Sequence, residues 1–106
     1  MIILNIKDFS LTPGIKTSEA NCFSGKEYLS IHLIPAFKKV ISENKKIKII
    51  LDGTLGIPTS FLEELFGGLV SDFGFDKVKN NIEIVSTQRP FYLDDISEYM
   101  DNANKK

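Results

Sequence analysis

The sequence predicts a small α/β domain built on a mostly parallel or mixed sheet of four or five strands. Short runs of β-branched and apolar residues alternate along the chain with longer stretches in which apolar residues recur at helical spacing. This alternation is typical of a parallel sheet whose strands are joined by right-handed helical crossovers. The most apolar short run, residues 47–51, is predicted to be the central strand, covered on both faces.

The N-terminal half supplies two predicted strands and one helix. Residues 2–6 are apolar and β-branched apart from one asparagine, and residues 15–17 are predicted to pair back as a short second strand after a proline–glycine turn. The first helix is predicted to begin at Ser24-Gly25-Lys26-Glu27, because a serine followed three residues later by glutamate forms a capping box. It is predicted to reach about Asn44, with a kink or break at Pro35, which lacks a backbone N–H.

The C-terminal half continues the alternation. After the strand at residues 47–51, Thr59-Ser60 is predicted to open a second helix that stops at Gly74. A further strand is predicted at residues 82–86 and a last helix at residues 93–102. We therefore expect three main helices and a sheet whose strands end near the starts of the helices that follow them.

The composition of the 106 residues is that of one globular domain, predicted to span residues 1–106. With 13 basic and 14 acidic side chains, the net charge is −1, which argues against nucleic acid or a membrane surface as the main partner. One cysteine and one histidine exclude a disulfide framework and a metal site made of Cys and His alone. The N-terminus lacks the features of a signal peptide, which predicts a cytoplasmic protein.

The most informative stretch, residues 51–64, joins the end of the central strand to the start of the second helix. Ligands and partners of open α/β sheets gather at this edge, and a helix N-terminus favours negative charge. A phosphate on Thr59 or Ser60 would be well placed there; the alternative is that Ser60 and Glu63 form a capping box. The candidate partner-binding edge consists of Asp52, Gly53, Thr54, Pro58, Phe61, Glu63, Glu64 and Arg89.

Three blocks of the sequence match a family pattern: Pro13-Gly14, the helix opening Ser24-Gly25-Lys26-Glu27, and most of residues 51–69. Through these blocks the chain resembles the STAS superfamily, the sulfate-transporter and anti-sigma-factor-antagonist domains. It is most similar to the bacterial STAS-like domain family of unassigned function. The resemblance implies a sheet with three or four helices mainly on one face, and a role in protein–protein signalling rather than catalysis.

The resemblance also implies a site for phosphorylation. Antagonist STAS domains carry an Asp-Ser-Ser/Thr-Gly segment at the start of the helix after the central strand, and a kinase of the histidine-kinase-like ATPase fold phosphorylates its first serine. By position this segment falls on Pro58-Thr59-Ser60-Phe61, which makes Thr59 the acceptor. Here proline stands for the aspartate, threonine for the serine and phenylalanine for the glycine of the family pattern.

Other residues have one structural and one functional interpretation each. Gly67-Gly68 lies inside the second helix and indicates either close packing of that helix on the sheet or a flat face that a partner approaches. Arg89, the only arginine, is either a solvated loop charge or a phosphate contact near Thr59. His32 and Cys22 lack the neighbours that a metal site or a nucleophile requires, so we interpret both as structural.

The sequence favours a non-enzymatic signalling domain, with no catalytic residue, metal or cofactor, that docks onto a protein partner. The resemblance implies a histidine-kinase-like ATPase as that partner. The alternative is a small-ligand or nucleotide-binding module that uses the N-terminus of the second helix. A docking domain should expose an apolar patch near this helix, whereas a ligand module should contain a closed pocket with convergent polar groups.

Overall fold

A computed structural model describes residues 1–13, 16–18, 21–22 and 24–105 of the chain. The main sheet is parallel with strand order β1–β4–β5, and a separate antiparallel pair joins β2 to β3. The strands are β1 Ile2–Asn5, β2 Lys16–Ser18, β3 Asn21–Cys22, β4 Ile47–Ile50 and β5 Ile82–Val85. The central position of β4 confirms the strand that the sequence predicted there.

The predicted sheet of four or five strands is not confirmed, because three strands form the main sheet of the described chain. The second strand predicted at residues 15–17 overlaps β2, yet β2 pairs with β3 and not with β1. Ile15 lies outside the described residues. Ile6, predicted to end the first strand, instead begins the short helix α1 (Ile6–Phe9), where its side chain is fully buried.

The two faces of the sheet differ in burial. Ile49 and Leu51 are fully buried on one face, whereas Lys48 and Ile50 are half-buried on the other. On that second face Lys48 lies 4.0 Å from the carboxylate of Glu83 on β5. The coverage of both faces that the apolar run predicted is therefore only partial, because every second residue points away from the helices.

In the described part of the chain, four helices follow α1: α2 (residues 25–42), α3 (residues 59–73), α4 (Phe75–Asn81) and α5 (Phe91–Asn104). The helices α2, α3 and α5 share one core with the buried face of β4, and that core includes the fully buried Phe37, Phe61 and Phe66. The predicted stop of the second helix at Gly74 is confirmed, and φ there is 93°. Within the described ranges, no helix has the length and apolar character that crossing a bilayer requires.

Both α2 and α3 contain a π-helical turn, in which backbone hydrogen bonds reach five residues back. These turns span Leu29–Leu33 in α2 and Glu63–Gly67 in α3. In α2 the turn closes with the N–H of Ile34 donating to the Leu29 carbonyl, directly before Pro35. A proline ring clashes with the carbonyl four residues earlier in a regular α-helix. Because the wider turn makes room for that ring, α2 continues through Pro35 without the predicted break.

Local hydrogen bonds fix both ends of α2. The Ser24 hydroxyl accepts from the N–H of Glu27 at 3.1 Å, which confirms the predicted cap. The helix ends two residues before Asn44, whose φ of 55° turns the chain. The N–H of Lys45 then donates to the Val40 carbonyl at 2.8 Å, as in a Schellman motif.

Candidate functional site

The carboxylate of Asp52 ties the loop after β4 to the loop after β5. It accepts hydrogen bonds from the backbone N–H and the hydroxyl of Thr87, at 2.8 and 2.7 Å, and from the N–H of Gln88 at 2.9 Å. The side-chain oxygen of Gln88 accepts in turn from the N–H of Gly53 at 2.8 Å. The donors on Gln88 and Thr87 hold the pKa of the Asp52 carboxyl below its ordinary value. The carboxyl ends of two neighbouring strands thus form one hydrogen-bonded frame.

Arg89 and Tyr92 fix the rest of the loop that precedes α3. The Arg89 guanidinium donates to the carbonyls of Thr54 and Leu55, each at 3.4 Å. The Tyr92 hydroxyl accepts from the N–H of Ile57 at 3.0 Å in a buried position. Arg89 is therefore engaged with loop carbonyls, and its contact with a phosphate at the start of α3 stays a prediction. The role of Tyr92 could not be predicted from the sequence, because its hydrogen-bond partner lies 35 residues away.

Thr59 and Ser60 occupy the first two positions of α3, and both side chains are exposed. The residue before the helix is Pro58, whose carbonyl accepts from the N–H of Phe61 at 3.1 Å. The predicted capping role of Thr59 or Ser60, including a capping box with Glu63, is wrong, because the extended backbone ends at Pro58 and the hydroxyl residues already lie inside the helix. Their exposure leaves both hydroxyls accessible to a modifying enzyme.

The predicted edge residues divide by exposure. The exposed or half-buried members are Asp52, Gly53, Pro58, Glu63, Glu64 and Arg89. Thr54 is only 5% exposed, with its hydroxyl 3.5 Å from the Leu51 carbonyl, and Phe61 is fully buried. The expectation that Thr54 and Phe61 present their side chains to a partner is therefore corrected. Phe61 lies on the apolar face of α3 and belongs to the core.

Three large apolar side chains are exposed on the chain segments that these hydrogen bonds connect or that adjoin them. The exposed fractions are 54% for Leu11, 74% for Leu55 and 57% for Phe91. The N–H of Leu55 donates to the Leu11 carbonyl at 2.8 Å, and Phe91 begins α5 two residues after Arg89, which holds the Leu55 carbonyl. We call Leu11, Leu55 and Phe91 the apolar edge. The apolar edge was not predicted, because Leu11, Leu55 and Phe91 are far apart in the sequence.

A cleft of about 660 Å³ opens between α2, α3 and the C-terminal part of α5, and Gly67 and Gly68 line it. A Cβ on Gly68 would collide with the side chain of Leu29 on α2, so this glycine allows two helices to pack closely. A Cβ on Gly67 would meet nothing closer than the Ala103 Cβ at 3.9 Å. Gly68 is therefore explained by close packing of α3 against α2, and not against the sheet. Gly67 instead forms the open floor of the cleft.

His32 is exposed on α2 and packs against aromatic rings. Its ring centroid lies 5.5 Å from that of Phe9 and 5.0 Å from that of Tyr28. The side chain of Cys22 lies outside the described residues. In the part of the chain that the structure describes, no three His, Cys, Asp or Glu side chains are grouped as metal ligands.

Comparison with known proteins identifies the family. The family described as "STAS-like domain of unknown function (DUF4325)" matches residues 25–90, more than half of the chain. The match runs from the start of α2 through the Asp52 frame to the loop that holds Arg89. Searches of the curated proteins and of the solved structures found no significant match. The three-stranded parallel sheet with its five helices agrees with the family assignment, and the chain belongs to this family of STAS-like domains.

Proposed function

We propose that this STAS-like domain is a non-enzymatic docking module and that the apolar edge is its surface for a protein partner. The observation that carries the proposal is the exposure of Leu11 and Leu55 on loops whose backbones are hydrogen-bonded to each other. Clustered exposed apolar side chains mark interaction sites. Full burial of each large apolar side chain would contribute about 1.5–3 kcal/mol.

The frame around Asp52 supports this role because it holds the apolar edge in one conformation. Asp52 joins the loops after β4 and β5, and the Arg89 guanidinium donates to the carbonyls of Thr54 and Leu55. A surface that is already ordered loses little conformational entropy on binding. Leu55 is therefore presented to a partner from a fixed backbone.

The same frame favours a docking surface over a small-ligand site. The polar groups of this edge bond to each other: Asp52 with Thr87 and Gln88, and Arg89 with the loop carbonyls. A ligand pocket needs polar groups that converge on the ligand. Here these polar groups bond to one another across the loops, while the side chains of Leu11 and Leu55 are exposed on the same loops.

The partner that we propose is a histidine-kinase-like ATPase, as the resemblance to antagonist STAS domains implies. Thr59 supports this choice, because its exposed hydroxyl lies at the first position of α3, four residues after Leu55. A phosphate there would add a charge of about −1.5 to −2 at neutral pH. A hydrated dianion is costly to bury in an interface, so phosphorylation of Thr59 would weaken docking at the neighbouring apolar edge.

The test is calorimetric titration of the domain with an ATPase of this fold encoded beside it. We expect Leu55→Ser to weaken binding at least about tenfold. Ile31→Ser is the matched control, since Ile31 is a similarly exposed apolar residue on α2 outside the apolar edge. Thr59→Glu should weaken binding and Thr59→Val should preserve it, and mass spectrometry after incubation with ATP should find a phosphate on Thr59.

Two results would count against this proposal. If Leu55→Ser and the wild type bound the ATPase equally, the apolar edge would not be the docking surface. If the ATPase did not bind, and a nucleotide instead raised the melting temperature of both the wild-type domain and Leu55→Ser, the small-ligand alternative would replace the docking proposal.

A further inference from the structure

We infer that the cleft between α2, α3 and α5 receives a positively charged α-helix from a partner protein. The lining of this cleft shares no residue with the apolar edge, and its role does not depend on the function proposed there. The inference rests on the length of the cleft, its glycine floor and the sign of the charges at its rim.

The shape of the cleft fits a helix. Its lining on α3 recurs every three or four residues from Ser60 to Asp72, which at 1.5 Å per residue is about 18 Å, or three helical turns. Gly67 lies in the middle of this stretch and has no side chain to hold an incoming helix away. Small residues at the contact allow helix axes to approach to about 8 Å. A segment of about three turns would therefore seat over Gly67.

The charges at the rim determine the kind of helix. Glu63, Glu64 and Asp72 line the cleft, whereas Lys26 is the one basic residue in its lining. Among the residues that the structure describes, ion pairs join Lys45 to Glu43 and Lys48 to Glu83, so none of the three carboxylates is neutralised by an ion pair. Lysine or arginine on the flanks of the incoming helix would complement them, and an acidic partner would be repelled.

Tyr99 of α5 lines the opposite wall of the cleft, and the pKa of its hydroxyl is raised by burial and by nearby carboxylates. Burial and the nearby carboxylates of Asp95, Glu63 and Glu98 all raise the pKa of its hydroxyl. Glu63 belongs to α3 and the other two carboxylates to α5, so acidic groups face Tyr99 from both elements. Carboxylates of both α3 and α5 therefore lie near this wall of the cleft.

Irregular backbone flanks the cleft on both long walls. The π-helical turn of α2 (Leu29–Leu33) and that of α3 (Glu63–Gly67) each contribute lining residues. Such turns are rare and occur often at functional sites. Two of them facing one cleft support a binding role for this surface.

The experiment selects peptides on the immobilised full-length domain from a displayed library of 14-residue α-helices, randomised along one face. We expect the enriched peptides to carry two or more lysines or arginines flanking a small or apolar centre, and to bind more weakly as salt is added. Gly67→Leu, which fills the floor, should weaken them at least about tenfold. The pair Glu63→Gln and Glu64→Gln should weaken them about fivefold, and Leu55→Ser at the apolar edge should have no effect.

Thermal unfolding shows whether each variant is folded. If Gly67→Leu does not fold, Gly67→Ala provides a smaller change at the same position. The inference is overturned if no peptide is enriched, if the enriched peptides are neutral or acidic, or if their binding survives the Gly67 substitutions. Loss of binding in Leu55→Ser alone would assign the peptides to the apolar edge and likewise overturn it.

Discussion

A single carboxylate, that of Asp52, joins two loops whose bonded residues are 35 positions apart in sequence. We predict that Asp52→Asn lowers the midpoint of thermal unfolding, because an amide offers one acceptor oxygen and an NH₂ group to three donors. Asp101, exposed on α5, provides the matched control Asp101→Asn, because its side chain makes no hydrogen bond to the described residues. Equal midpoints for the two variants would contradict the role of the frame.

The same residue should make stability depend on acid pH. The donors of Gln88 and Thr87 lower the pKa of Asp52 in the folded state from its ordinary value of 3.8. A carboxyl with a lowered pKa stabilises the fold above its unfolded-state pKa, and that contribution disappears as pH falls through the folded-state pKa. Below about pH 4 the wild type should therefore lose stability more steeply than Asp52→Asn. Thermal unfolding across this range measures the difference, and parallel pH profiles would exclude Asp52 as the titrating group.

The neighbouring glycines Gly67 and Gly68 should respond differently to the same substitution. Gly67→Ala should stabilise the fold by about 0.5–1 kcal/mol, because alanine is the better helix former and its methyl group would meet only the Ala103 Cβ at 3.9 Å. Gly68→Ala should be less stable than Gly67→Ala by about 1 kcal/mol or more, because a terminal methyl group of Leu29 has to move to make room for the new methyl group. Urea denaturation measures both free energies of unfolding, and equal values for the two variants would refute the packing described for Gly68.

At the scale of helices, the starts of α2 and α3 differ in what holds them. Ser24 caps α2 through its hydroxyl, whereas Thr59 lies inside α3 and makes no cap hydrogen bond. We predict that Ser24→Ala lowers the free energy of unfolding by about 1 kcal/mol and that Thr59→Ala does not lower it. Chemical denaturation distinguishes the two, and a Ser24→Ala variant as stable as the wild type would show that the Ser24 hydroxyl does not stabilise α2.

Elements that depend on local patterns were predictable from the sequence, and those that depend on distant neighbours were not. The capping box at Ser24 and the stop at Gly74 involve residues within one turn of each other. The helix α4 was missed because Phe75 and Val78 are its only large apolar residues, too few to show a period. The π-helical turn of α2 comes directly before Pro35, where the sequence predicted a kink or break, whereas the helical spacing of α3 contains no sign of its π-helical turn.

At the scale of the whole molecule, the sheet has one face that carries the core. Leu51 is 1% exposed and follows β4, whereas Ile3 of β1 is 55% exposed on the opposite face. We predict that Leu51→Ala costs about 2–5 kcal/mol of unfolding free energy. Ile3→Ala should cost less than about 1 kcal/mol. Similar losses for the two variants, measured by urea denaturation, would show that the second face is covered as well.

The location of the candidate site was predictable, but its composition was not. A buried strand that ends at Asp52 and a helix that begins at Thr59 were enough to predict the edge at which the loops gather. Leu11 and Phe91 join that edge only through the folded chain, since Leu11 contacts a loop 44 residues away. Phe61 was misplaced because it directly follows the exposed Thr59 and Ser60, whereas its own side chain enters the core together with that of Leu62.

The most direct test of the docking surface is hydrogen–deuterium exchange of the domain with and without the histidine-kinase-like ATPase. The apolar edge predicts slower exchange on binding in the segment around Leu11 and in residues 52–60, with no change in β1. The same measurement on Leu55→Ser should show no slowing at equal protein concentrations. Protection confined to the exposed face around Ile3, or protection in the loops that persists in Leu55→Ser, would contradict the assignment of the apolar edge as the docking surface.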